Sequence, residues 1–239
     1  LVLLKRSPQA HGVAPLGAEE IDSGASAQAQ KVKEDGIEVA AARKSVPFYM
    51  LVTFFFFVTS ISSFSMHIPK HLENIGYDIQ FAGGVMGKYM LGVLFGSLVL
   101  GYLVDVLNAK RTAILTMALG MLANGFIIYT TSNTLVISLA VALFGLISAS
   151  IGIVAPALVT ALFGKRDYSQ VYSTASMGLA ISSIVAIPAY GFAYDLTKSY
   201  VPVLWAIIIM LVLNIICVLV AFNNQKKMVA QSLWITENA

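Results

Sequence analysis

Residues 81–111 read FAGGVMGKYMLGVLFGSLVLGYLVDVLNAKR. A run of apolar and small residues, 81–104, is long enough to cross a bilayer, since about 20 apolar residues span the hydrocarbon core. It carries one cation, Lys88, and ends in a short polar stretch with Asp105, Lys110 and Arg111 before a second apolar run begins at Thr112. A charge inside such a run is expensive, and by default it is a functional-site hypothesis.

The rest of the chain has the same character. Its 239 residues are 58% hydrophobic and 11% charged, with a mean hydropathy of +0.81, where soluble domains carry about 25% charged residues. The fold class expected is an all-α membrane protein, a bundle of six transmembrane helices at 47–66, 81–104, 112–131, 135–163, 170–194 and 201–222. Pro47 opens the first at a position that tolerates proline, and Pro156 within the long fourth run predicts a tilt or kink. Residues 1–4 read as the end of a preceding transmembrane helix. Residues 5–46, polar and low in apolar content, read as a cytoplasmic linker with a short surface helix within 31–44, and residues 223–239 as a cytoplasmic tail. The start without Met predicts a fragment whose other part lies upstream.

The cations test this layout. Of the 15 Lys and Arg, twelve fall on one side of the alternating loops: Lys5, Arg6, Lys31, Lys33, Arg43, Lys44, Lys110, Arg111, Lys165, Arg166, Lys226 and Lys227. Lys70 and Lys198 fall on the other, and Lys88 lies within a span. Positive loops face the cytoplasm, so both ends are expected there, in a multi-pass protein of the plasma membrane.

Lys88 lies about 10 Å below Phe81 at 1.5 Å per residue. Steps of four give the stripe Gly84, Lys88, Gly92, Gly96. Glycines mark faces that pack against helices or open on cavities, so Lys88 is expected to line a cavity, not to snorkel toward headgroups. Tyr89 projects about 100° away and ranks low. None of the 12 acidic residues sits centrally in a span, so this cation predicts an anionic substrate. Asn124 and Asn214 are further substrate-contact candidates, with interhelical packing as the alternative. The in-span serines Ser148, Ser150, Ser173, Ser176, Ser182 and Ser183 are expected to bond their own helix backbones.

Other chemistries are poorly supported. There is no Gly-x-x-x-x-Gly-Lys-Ser/Thr phosphate loop, no His-Glu-x-x-His, and no Gly-x-Ser-x-Gly nucleophile turn. One thiol, Cys217, makes neither a disulfide framework nor a cysteine metal site. His67 and His71 stand four apart, but Pro69 lies between them and no third ligand is near. No enzyme activity, metal or cofactor is expected, and no nucleic acid partner. The expected partners are a small organic anion, the lipid bilayer and an amino-terminal six-helix half.

The stretch GYLVDVLNAKR, 101–111, resembles the signature loop of the major facilitator superfamily, Gly-x-Leu-Ala-Asp-Arg-x-Gly-Arg-Lys. Gly101, Leu103, Asp105 and Lys110 match. Val106, Asn108 and Ala109 depart where Arg, Gly and Arg are usual. The resemblance implies a gating loop built on Gly101, Leu103, Asp105, Lys110 and Arg111, joining helices 8 and 9 of twelve, so the six spans would be helices 7–12. RSPQAHGVAPLG (6–17), PALVTALFGKRDYSQVYS (156–173) and GFAYDLTKSY (191–200) resemble prokaryotic oxalate/formate antiporters and monocarboxylate transporters. In those a basic residue on helix 8 contacts the substrate carboxylate, which implies that role for Lys88. The second basic residue, on helix 11 of the oxalate transporter, has no counterpart in 170–190. The implied function is alternating-access transport of a monocarboxylate, by antiport or with a proton. The alternative is a neutral or drug-like solute, or a fragment that does not transport.

Overall fold

The computed structural model describes residues 36–129 and 132–230, with side chains to residue 227. The expectations for residues 1–4, for the linker up to residue 35 and for the tail beyond residue 230 lie outside the described residues. The described elements are helical: α1 (Val39–Arg43), α2 (Val46–Ser63), α3 (Ile68–Asn74), α4 (Ile79–Tyr129), α5 (Thr134–Phe163), α6 (Tyr168–Ala175), α7 (Met177–Thr197) and α8 (Val201–Ala230). A 3₁₀ turn, Phe64–His67, joins α2 to α3.

The longest element is two helices. Within α4, Asn108 has φ 72° and ψ 154°, and the chain folds back there. The hydroxyl of Thr112 donates to the carbonyls of both Leu103, at 2.9 Å, and Asn108, at 3.0 Å. In an unbroken helix residues 103 and 112 would stand roughly 13 Å apart along the axis. The arms 79–107 and 109–129 are therefore separate crossings, and the described chain makes six. Asn108 occupies a region of backbone space that is essentially reserved for glycine and costs about 1–3 kcal/mol for other residues. It stands where the signature loop usually has Gly.

Several boundaries differ from expectation. The first crossing does not stop at residue 66. Pro69 sits in the first turn of α3, where its missing N–H is harmless, and Ile68 and Leu72 are fully buried. The apolar rod thus extends from Val46 to Asn74. The fifth crossing divides at Ser176 into α6 and α7. The last continues past residue 222 into residues expected to be tail. Helix α5 runs through Pro156, and the Asn133 side chain caps its start by accepting from the N–H groups of Leu135 and Val136.

Packing puts α2 and α5 at the centre. Half of the apolar window of each is buried, against 17% for α4. Phe54, Phe55, Phe64 and Phe144 fill the interior, and Phe64 meets Phe144 edge-on. The outward faces of α4 and α7 stay apolar: Leu94, Leu98, Ile184 and Phe192 are all exposed. A water-soluble surface rarely presents so much apolar area, whereas a lipid-facing one must.

The closest approach is between α4 and α5. A Cβ at Gly92 would lie 1.9 Å from the carbonyl oxygen of Ala142, and one at Gly145 would lie 2.6 Å from that of Tyr89. Only glycine permits these backbones to meet. Gly178 serves α7 against α2 in the same way, its Cβ position 2.6 Å from the Val52 carbonyl oxygen.

One end of the bundle is tied by polar contacts. Gly36 pairs with Gly164 in an isolated bridge, and the Ile37 N–H donates to the Phe163 carbonyl. The Val39 N–H donates to Asp167, Arg43 to Thr174, and Arg166 pairs with Glu38 at 2.8 Å. The Gln225 amide donates to the Ala161 carbonyl, and the Lys110 ammonium lies 5.5 Å from the Phe222 ring. Arg43, Lys44, Lys110, Arg111, Lys165, Arg166, Lys226 and Lys227 therefore gather at one end. At the other, Asn74 donates to the Lys198 carbonyl and accepts from Tyr194.

Two outcomes are expected in thermal unfolding of the detergent-solubilised protein. Gly92→Val forces α4 from α5 and destabilises by about 3 kcal/mol, while Gly84→Ala, whose Cβ would meet open space, does not lower the melting temperature. Asn108→Gly relieves the turn and raises stability by about 1 kcal/mol or more, whereas Asn108→Val lowers it.

Candidate functional site

Lys88 is held by the α4–α5 contact. Helix α4 begins at Ile79, which puts Lys88 roughly 13 Å along the axis. The residue is exposed. Its ammonium donates to the Ser138 hydroxyl at 2.6 Å, and that hydroxyl donates onward to the Thr134 carbonyl at 2.5 Å. The same ammonium lies 5.0 Å from the centroid of the Phe81 ring, a cation–π contact. The Lys88 head is thus drawn toward the α4 start. Among the described residues it forms no ion pair; the two pairs are Lys70–Glu73 and Arg166–Glu38. An ammonium has three donors, and one is engaged by a neutral hydroxyl.

The glycine stripe divides. Gly92 and Gly96 are buried against α5, with Gly96 facing Leu146 and Ala149. Gly84 is exposed and has nothing near its Cβ position, so it packs against no helix of the described chain, contrary to expectation.

Asn124 and Asn214 lie elsewhere in the bundle. Both are completely buried. The Asn124 amide donates to the Gly120 carbonyl of its own helix, and the Asn214 amide approaches the Met117 sulfur at 3.7 Å. They belong to the packing of the second α4 arm with its neighbours, away from any open surface, and the structure does not bring them to Lys88. Neither carboxamide oxygen has a donor among the described residues.

The loop residues spread around the Asn108 turn. Gly101 and Leu103 are half-buried, and Leu103 offers its carbonyl to Thr112. Asp105 and Arg111 are exposed, and Asp105 makes no side-chain hydrogen bond or ion pair among the described residues. Lys110 packs on Phe222. Thr112, which clamps both sides of the turn, escaped sequence reading because nothing marks it apart from other in-span hydroxyls.

Sequence reading also missed a second polar cluster. The Tyr89 hydroxyl lies 2.5 Å from the Ser148 oxygen, which also bonds Ser62. Three hydroxyls from α4, α5 and α2 thus converge. Tyr89 ranked low because it turns away from Lys88, and that same turn aims it at Ser148. Ser182 likewise bonds across helices, to Ser60 at 2.7 Å, and Tyr190 donates to the Ser60 carbonyl. Ser150, Ser173, Ser176 and Ser183 do bond their own helices. His67 reaches the Tyr200 hydroxyl at 3.1 Å and His71 is buried beside the Tyr200 ring, so both pack among aromatic rings where a loop was expected. No group of three potential metal ligands occurs among the described residues.

Comparison with known proteins adds one result. The family model of the Major Facilitator Superfamily matches residues 48–233, a stretch that runs from the first turn of α2 through the other five crossings and the Asn108 turn. No curated protein matches the chain. Six apolar crossings, a hairpin turn at the signature-loop position and a match over most of the length lead to one conclusion: the chain belongs to the major facilitator superfamily of membrane transporters.

Proposed function

We propose that this chain forms the carboxyl-side half of a secondary transporter for a small organic anion, a monocarboxylate, with Lys88 as the anion contact. The observation that carries the reading is the state of Lys88. It stands about two and a half turns into a crossing, its ammonium touches a neutral hydroxyl and a ring face, and no carboxylate of the described chain neutralises it. A single unpaired cation in low dielectric favours one negative charge. The resemblance of 6–17, 156–173 and 191–200 to carboxylate transporters supports the same class. Substrate would bind between the two halves near the midplane and move by rocking of one bundle against the other. The clustered cations favour a reading in which that end of the bundle, with the Asp105 loop, faces the cytoplasm.

The hydroxyls of Tyr89, Ser148 and Ser62 favour a second reading, a neutral solute held by hydrogen bonds. Lys88 variants separate the two. In the full-length transporter, Lys88→Ala is expected to lose roughly tenfold or more in carboxylate uptake, the value of one charge-assisted hydrogen bond, and Lys88→Arg to keep part of it. Undiminished carboxylate uptake by Lys88→Ala overturns the anion reading. Asp105→Asn is expected to slow turnover with substrate affinity retained, since the loop acts on the access state. Weakened binding at normal turnover would contradict that role.

A further inference from the structure

A groove of about 450 Å³ lies between α4 and α5, on the side of α4 that carries Lys88. Leu91, Phe95 and Val99 line it from α4, and Leu139, Leu143 and Leu146 from α5. These α4 residues stand three, seven and eleven places after Lys88, which is one continuous stripe of a helix. Phe81, seven places before, continues the stripe to the ring under the ammonium. On α5, Ser138, the hydroxyl that holds the ammonium, directly precedes Leu139 of the groove wall. The site thus has a cationic, hydroxyl-bearing head and an apolar trough leading from it. From the level of Lys88 to that of Val99 it runs roughly 16 Å.

A small hydrophilic acid would use only the head. From this juxtaposition we infer that the anion taken at Lys88 is amphipathic: an alkanoate, whose carboxylate accepts from the two Lys88 ammonium donors that Ser138 leaves free and whose acyl chain lies along the Leu91–Val99 trough. The charge at one end and the apolar walls below match the two parts of such a ligand. The inference rests on the reading of Lys88 as the anion contact and names the class of anion.

The test is a competition series with the full-length protein in nanodiscs of neutral phosphatidylcholine. Acetate, butanoate, hexanoate and octanoate displace radiolabelled octanoate, at known free aqueous concentrations. Affinity is expected to rise with chain length, by up to about fourfold per added methylene, and to level off when the trough is full. Leu143→Trp and Leu139→Trp, which fill the trough from its wall and its rim, are expected to collapse the octanoate-to-acetate ratio. Leu139 is 67% exposed, so its variant does not depend on repacking the core, and melting curves identify folded preparations. An octanoate affinity no better than that of acetate overturns the inference, as does a ratio that survives in the folded tryptophan variants. So does a phospholipid that stays bound in native mass spectrometry and that octanoate cannot displace. Lys88→Ala separates the two levels. If both acids bind it as well as wild type, the anion reading itself fails; if it loses both while chain length has no effect, only the alkanoate inference fails.

Discussion

The backbones of α4 and α5 touch at Gly92 and Gly145, and most of the described structure follows from that contact. Within hydrocarbon no hydrophobic effect drives helices together, and association depends on close packing and interhelical hydrogen bonds. Two glycines facing each other allow the shortest separation that helices can reach. That separation brings the Lys88 ammonium within a hydrogen bond of Ser138 and the Tyr89 hydroxyl within one of Ser148. Adjacent residues on one helix therefore serve two different polar sites, one on each side of the contact line.

The second arm of α4 returns past the same neighbour, so the turn at Asn108 sets where α5 is approached from behind. A Cβ at Gly120 would press on Ile147 and Leu211, which ties the returning arm to both α5 and α8. The turn is held from inside by Thr112, whose hydroxyl bonds a carbonyl on each side of the fold-back, those of Leu103 and Asn108. A strained residue persists when its surroundings over-determine it, and the clamp supplies that surrounding.

Crossings were legible in the sequence because lipid imposes a length and a composition on each one. Their boundaries were less so where a polar residue is buried by a neighbour. His71 and Lys70 read as loop, yet Ile68 and Leu72 on the same short helix pack into the bundle and extend the first crossing. Lys88 stood out because a lone charge in an apolar run has no local explanation. Tyr89, Ser62 and Ser148 did not, since their meaning lies in pairings across 59 and 86 positions of chain, and an isolated hydroxyl can always satisfy itself on its own helix. Asn124 and Asn214 drew attention by the same logic as Lys88, but an uncharged amide can be packed away where an ammonium cannot. Gly84 shows the limit of periodicity: it continues the stripe of Gly92 and Gly96 beyond the point where the two helices touch.

The Tyr89–Ser148–Ser62 cluster has a proton count of its own. Three hydroxyls carry three protons, and the two bonds among them use two. One proton is left over: it stays on Ser148 when that hydroxyl accepts from both neighbours, and it sits at one end of the row when the two bonds run in the same direction. If Tyr89 donates to Ser148 and Ser148 to Ser62, the free donor is on α2; with every bond reversed, it is on α4. Three small rotations of O–H bonds move it between two helices while no heavy atom shifts. The cluster is thus a fixed scaffold whose donor direction can reverse, and an acceptor placed at either end draws the free proton to itself.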